Sequence, residues 1–228
     1  SFAMSIRFPV NWVVKPTIYS HFVGGETIEE CLPAVESMSK FNVRSILDYS
    51  VEGKESIEDI NKALAETLRA VKNAGTNPNI PFAVFKPTAF TTSNVLTKAS
   101  AGEEMTPEEK KEAQNFKDRV DTLCKTAHEV DIPIMIDAED SWYQNFIDET
   151  VEEMMMKYNK EKAIVYNTWQ MYRHDRLDHL KKSYEKAVEN NYFLGVKFVR
   201  GAYMEKERER AQLKGYESPI CVDKPATD

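Results

Sequence analysis

Five short apolar segments recur along this chain, separated by amphipathic helical stretches, and that alternation restricts the fold more than any single motif. The segments are Val43 to Tyr49, Ile80 to Phe85, Ile132 to Ile136, Ala163 to Tyr166 (running on to near Gln170), and the run that begins at Leu194. Strand and helix patterns alternating in this way read as βαβ units, which build a parallel sheet with helices outside it. The helical stretches carry their own start signals. Thr27-Ile-Glu-Glu30 is a capping box that opens a helix to about Phe41, with Pro33 early enough to be tolerated. Ser56 opens a second helix, in which Ile57, Ile60, Leu64, Leu68 and Val71 step by three and four, and Thr106-Pro107-Glu108-Glu109 caps a third. Trp142, Phe146, Val151, Met154 and Tyr158 mark the helix behind Ile136, and Leu177, Leu180, Tyr184 and Val188 mark one from about Asp175 to Asn190. Residues 92–105 carry no decisive pattern. Residues 1–26, with Pro9, Trp12, Pro16 and Gly24-Gly25, read as an arm packed on a body made of residues 27–228.

Composition removes several function classes. At 228 residues, 42% hydrophobic and 29% charged, the chain has an ordinary globular balance with enough apolar side chains for a sizeable core. Thirty basic against thirty-seven acidic residues give a net charge of -7, which argues against nucleic acid as the main partner. Cys31, Cys124 and Cys221 lie far apart with no CxxC pair, which excludes a zinc ribbon or a redox motif and suits a reducing compartment. No apolar run has the length of a membrane span, so any membrane contact is peripheral. There is no GxGxxG after the first strand, no P-loop and no GxSxG elbow, and the four histidines lack metal-ligand spacing, so no metal site is expected. His174 and His179 read as solvent-exposed, Glu205 to Arg210 as a solvated helix face, and Met154 to Met156 as core packing.

Each apolar segment ends on an unusual polar residue. In a parallel α/β sheet ligands bind at the carboxyl ends of the strands, where these residues gather: Asp48 and Glu52, Lys86, Asp137 and Glu139, Gln170, and Lys197 with Arg200. The fifth segment is the most telling. Leu194-Gly-Val-Lys197-Phe-Val-Arg200 is a core strand that runs into two cations, then Gly201, Ala202 and Tyr203, an ending that suits the rim of a pocket. The charges are mixed in sign, which suits a zwitterionic ligand better than a plain phosphate.

Several motifs, in order, resemble the proline dehydrogenase family: His21-Phe-Val-Gly-Gly-Glu, Leu47-Asp-Tyr, Phe85-Lys-Pro-Thr, Met135-Ile-Asp-Ala-Glu, Asn167-Thr-Trp-Gln-Met-Tyr172, Lys197-Phe-Val-Arg-Gly-Ala-Tyr203 and Gly215-Tyr-Glu-Ser-Pro219. The likeness is to the single-function mitochondrial and related bacterial type. It implies a parallel (β/α)8 TIM-type barrel with about five βα units in this chain, FAD as cofactor, and oxidation of L-proline to Δ1-pyrroline-5-carboxylate by hydride transfer to the flavin. Electrons would pass to a quinone, in the cytoplasm or at the inner membrane of a bacterium, or on the matrix side of a mitochondrion. On this resemblance Lys86 and Tyr203 bind substrate, and Asp137 and Lys197 are catalytic. Ala138, Gln170, Lys197, Arg200, Gly201 and Ala202 meet the flavin, and Lys197 stands where many bacterial members carry arginine. The family's last three strands and its final helix, with an arginine pair, are not matched here. Further sequence or a second chain is expected to supply them and to pair with the outer edges of the first and fifth strands. Two other readings stay open: a barrel lyase or aldolase in which Lys86 forms a Schiff base, and a non-catalytic fragment with open sheet edges.

Overall fold

In a computed structural model that describes residues 24–49 and 56–228, the helices start where their caps stand. Helix α1 (Ile28–Ser39) opens at Thr27, whose hydroxyl accepts from the Glu30 N–H at 3.2 Å; the Glu30 carboxylate accepts from Glu26 rather than from Thr27, so the box closes one residue early. It ends two residues short of Phe41, where Asn42 takes a left-handed φ of 58° that asparagine tolerates. Ser56 caps α2 (Ile57–Thr76). The undecided stretch contains α3 (Ser93–Ala101), capped by Thr92 and closed by Gly102 at φ 67°. Helix α4 (Pro107–Glu129) carries the full reciprocal capping box between Thr106 and Glu109, a device that stabilises a helix by about 1 kcal/mol. Residues 1–23 of the expected arm, and Glu52, lie outside the described residues.

Four of the five expected strands form: β1 (Ala83–Phe85), β2 (Ile134–Ile136), β3 (Val165–Gln170) and β4 (Val196–Val199). They lie in the order β1-β2-β3-β4, all parallel, with Phe85 opposite Ile136, Ile134 opposite Val165, and Thr168 opposite Lys197. Helices α3 and α4 join β1 to β2, α5 (Ser141–Tyr158) joins β2 to β3, and α6 (Arg176–Glu189) joins β3 to β4; α7 (Met204–Lys214) and the short α8 (Lys224–Thr227) follow. This is an α/β fold, a sector of a (β/α)8 barrel. The core lies between sheet and helices, where Phe85, Phe116, Leu123, Ile134 and Ile147 are fully buried and Met154 and Met155 pack as the sequence predicts.

Val43 to Tyr49 corrects the sequence reading. The segment is extended, and the Ser45 N–H donates to the Asn79 carbonyl at 2.9 Å, yet among the described residues no ladder follows and Ile46 remains exposed. An apolar run shows which side chains seek burial, not whether a partner strand stands in register beside it.

Two residues fix how β3 and β4 meet. Asn159, fully buried just after α5, uses its whole side-chain capacity: its amide donates to the Val165 and Phe193 carbonyls at 2.9 and 2.8 Å, and its carbonyl accepts from Ile164 and Val165 at 3.0 and 2.8 Å. Gly195 then crosses so near β3 that a Cβ would lie 2.1 Å from the Val165 carbonyl oxygen. Backbone cannot yield there as a flexible side chain could. Gly195→Ala is therefore expected to cost about 1–3 kcal/mol, read as a lower urea midpoint at unchanged slope. An unaltered midpoint would refute the close approach.

Candidate active site

Strand alternation aims the polar residues. On β3, Thr168 and Gln170 face the cavity at the carboxyl end of the sheet, while Asn167 and Trp169 face the helices. Lys86 directly follows β1, Asp137 follows β2, and Lys197 and Val199 point inward from β4. The resulting cavity, of about 110 Å3, is closed by Ala138, Tyr172, Ala202 and Tyr203. Of the sequence-predicted residues it thus gathers Lys86, Asp137, Ala138, Gln170, Lys197, Ala202 and Tyr203. Thr168, Tyr172 and Val199 were not foreseen, although counting back by two from Gln170 and forward by two from Lys197 finds the first and the last.

Asp137 is the electrostatic centre. One carboxylate oxygen accepts from the Lys86 ammonium at 3.1 Å and the other from the Lys197 ammonium, and Asp48 lies 3.8 Å from Lys86. Asp48 reaches the site although its segment forms no strand. Burial alone would lower the Lys86 pKa, but the Asp137 charge and hydrogen bond, helped by Asp48 and Glu139, outweigh it and hold that pKa above the ordinary value. A Schiff-base lysine needs the opposite shift, toward a neutral amine, so the site disfavours the lyase reading.

A second carboxylate works on the backbone. Glu139, buried, accepts from the Thr88 N–H at 2.9 Å and its hydroxyl at 2.8 Å, and its own carbonyl accepts from the Gln170 amide at 2.6 Å. Burial pushes the Glu139 carboxyl up, against those two hydrogen bonds and the Lys86 charge, and pushes the Tyr172 hydroxyl up to about 12. The Thr168 hydroxyl donates to the Ile136 carbonyl at 2.7 Å.

Three expectations need correction. Arg200 does not join Lys197: β4 ends at Val199, and the half-exposed Arg200 side chain pairs with Asp228 beside a separate cavity shared with Arg208 and Lys224. His179 is not simply solvent-exposed. Its Nδ1 accepts from the Trp169 indole N–H at 3.1 Å and its Nε2 lies 3.4 Å from Asp148, a buried carboxylate that also accepts from Gln144, Asn167 and Arg176; burial lowers the histidine pKa. The run Glu205 to Arg210 is not a wholly solvated face. Glu207 is 1% exposed and accepts from the Ser141 N–H and hydroxyl at 2.6 and 2.7 Å, at the start of α5. Lys206 pairs with Asp140 at 2.7 Å, and Arg210 lies over the Trp142 ring at 4.0 Å. These contacts anchor α7 and hold Tyr203, its first flanking residue, over the site.

The turn from Arg200 to Tyr203 can receive a large planar group with an anionic tail. Gly201, at φ 146°, lacks a Cβ that would meet the Met204 sulfur at 2.8 Å, and Ala202 borders both the Lys86 cavity and the neighbouring cleft. Ala138 and Ala202 keep the approach low, Gln170 has a second amide N–H uncommitted, and beyond the turn lie Arg208 and the Arg200 and Lys224 side chains, both paired with Asp228. These residues fit a flavin nucleotide. Among the described residues no group of three or more His, Cys, Asp or Glu could hold a metal ion.

The sequence model of the family described as proline dehydrogenase matches residues 31–228. The chain belongs to the proline dehydrogenase family. It is 32% identical over 259 residues to mitochondrial proline dehydrogenase 1 of Dictyostelium discoideum, covering 95% of this chain and 45% of that protein. It is 31% identical over 193 residues to the carbapenem antibiotics biosynthesis protein CarD of Pectobacterium carotovorum, covering 84% and 51%. Among solved structures, proline utilization A of Bdellovibrio bacteriovorus, inactivated by N-propargylglycine, superposes with a TM-score of 0.79 at 18% identity, over 96% of this chain and 24% of that one, a likeness of fold. The chain spans about half the length of the curated relatives it matches.

The Lys86–Asp137 pair makes a pH-dependent prediction. Because the folded Lys86 pKa lies above its ordinary 10.5, the stability it contributes is complete below that pH and is lost as pH rises through the folded value. Asp137→Asn removes the nearest carboxylate and leaves only Asp48 and Glu139 against burial, so the pH midpoint for acylation of Lys86, followed by mass spectrometry, is expected to move down. A midpoint that stays in place would show that Asp137 does not hold the charge.

Proposed function

We propose that this chain provides the flavin face and part of the substrate pocket of an enzyme that oxidises L-proline to Δ1-pyrroline-5-carboxylate. The observation that carries this reading is Asp137 gripping Lys86 and Lys197 inside a cavity walled by Ala138, Gln170, Ala202 and Tyr203. Asp137 and Asp48 balance the two cations, and the Lys86 ammonium, which has three donors and gives one to Asp137, has donors left for a substrate carboxylate. Lys86 binds that carboxylate and Tyr203 lines the ring pocket. Gln170, Lys197, Gly201 and Ala202 hold FAD, with Arg200 toward its anionic tail; when bound, FAD supplies the two-electron acceptor. Asp137 keeps Lys197 in place as a positive charge beside the reacting edge, an arrangement that stabilises negative charge developing there without reorganisation.

The wider reading follows from family membership and relatives' names. Electrons leave for a quinone, and relatives named as mitochondrial support the matrix side of the inner membrane for a eukaryotic source. Among the described residues no helix is long and apolar enough to cross a membrane. The strands that complete the barrel, from further sequence or a second chain, pair along the outer edge of β4, where Phe198 is exposed.

Lys86→Ala, made in the protein with its barrel complete and FAD bound, tests the substrate assignment. Loss of one charge-assisted hydrogen bond is worth about 1.5–3 kcal/mol, so KM for proline is expected to rise roughly 10- to 150-fold. An unchanged KM would remove Lys86 from the substrate site.

A further inference from the structure

We propose that Glu139 is a positioning residue for Lys86, setting where the lysine leaves the sheet so that its ammonium meets Asp137 and the substrate carboxylate. The proposal rests on the reading of Lys86 as the carboxylate anchor. Its basis is the backbone on either side of that lysine. Before it, the Phe85 carbonyl accepts from the Asp137 N–H at 3.0 Å. After it comes Pro87, which has no N–H and a fixed φ, so the first donor beyond Lys86 is the Thr88 N–H. Glu139 takes that donor at 2.9 Å and the Thr88 hydroxyl at 2.8 Å, so both oxygens of one buried carboxylate are spent on one residue. The tight turn Pro87–Ala89 closes with the Ala89 N–H on the Lys86 carbonyl at 3.1 Å.

The tripeptide Asp137-Ala138-Glu139 therefore holds Lys86 at three points: the carbonyl preceding it, the turn following it, and its ammonium. Between the two backbone anchors the freely adjustable dihedrals are the φ and ψ of Lys86 and the ψ of Pro87. The Gln170 amide, on the Glu139 carbonyl at 2.6 Å, ties this clamp to β3 and hence to the wall that faces the cofactor. A glutamine at position 139 can accept from the Thr88 N–H but must donate to the Thr88 oxygen instead of accepting from it, and it loses the charge that strengthens both bonds. Small displacements of a binding group translate into large losses of productive geometry.

The test is a pair of mutant cycles in the complete, FAD-loaded protein: Glu139→Gln and Thr88→Val, each alone and combined with Lys86→Ala. If Glu139 acts through Lys86, Glu139→Gln raises KM for proline about tenfold with lysine present and leaves it nearly unchanged once Lys86 is alanine, the non-additivity expected of coupled residues. Thr88→Val, which keeps the backbone bond, shifts KM the same way by less. In the substrate-free protein, acylation of Lys86 at fixed pH, read by mass spectrometry, speeds up in both single variants as the ammonium leaves Asp137. Additive effects on KM, or unchanged Lys86 reactivity, would overturn the proposal. Should Glu139→Gln not fold, Thr88→Val carries the same cycle. If the wild-type protein does not oxidise proline, the functional reading fails, while acylation of Lys86 in Thr88→Val, which leaves the Glu139 charge in place, still decides whether the clamp positions the lysine.

Discussion

One carboxylate shared by two lysines governs how the sheet is used. Lys86 follows β1 and Lys197 lies on β4, the two outer strands of the four-stranded sheet, yet both reach Asp137, which follows β2. Each ammonium is less than a third exposed, so burial works against its charge and Asp137 offsets that cost for both. For Lys197 the contact crosses β3, where its register partner is Thr168. That residue is small, and its hydroxyl turns to the Ile136 carbonyl instead of filling the gap. A leucine there would suit an ordinary barrel interior and would separate the two charges.

The other polar devices in the fold keep those strand ends level. Asn159 and Gly195 fix the approach of β3 to β4 from below, and so set how far Lys197 stands from β2. Above the sheet, Glu207 binds the first residue of α5 and brings α7 onto the end of β2. On the outer face of β3, Asp148 gathers Gln144, Asn167, Arg176 and His179, tying that strand to α5 and α6 by directional bonds. Strand β3 is thus polar on both faces, with Thr168 and Gln170 inside and Asn167 and Trp169 outside. Its position is determined by directional hydrogen bonds as much as by apolar packing.

Helix starts were legible because capping is local: Thr27, Ser56 and Thr106 each act on N–H groups within three residues. The grouping of Lys86, Asp137, Gln170 and Lys197 was legible because consecutive parallel strands present their carboxyl ends together, whatever the details of packing. Non-local pairing was not. Val43 to Tyr49 has the composition of a strand and no ladder, Glu207 sits in a run that locally resembles a solvated face, and His179 finds Trp169 and Asp148 on two other elements. Arg200 shows the same limit at close range. Three residues after Lys197 it has passed the end of β4, where strand alternation no longer aims a side chain, and Asp228 claims it.

The charge balance of the site also bears on the proton that must leave the substrate amine. In the proposed reaction the nitrogen has to be neutral before a hydride can depart from the neighbouring carbon, and no histidine stands among the residues that line the cavity. The two ammonium groups around Asp137, with Asp48 also 3.8 Å from Lys86, bear on that step. Nearby positive charge favours the neutral form of an amine, lowering its pKa by the same Coulomb interaction through which Asp137 raises that of Lys86. Lysine at position 197 suits this task in its own way. A guanidinium would spend a planar fork on Asp137, whereas an ammonium places a compact charge with two further N–H donors beside the bound ring. The substrate carboxylate, drawn to Lys86, offsets part of that field at one end of the molecule and leaves it acting at the other. Asp48 and Glu139, beside Asp137, temper that field, so the lysines draw a carboxylate while their effect on the nitrogen is smaller than two bare cations would give.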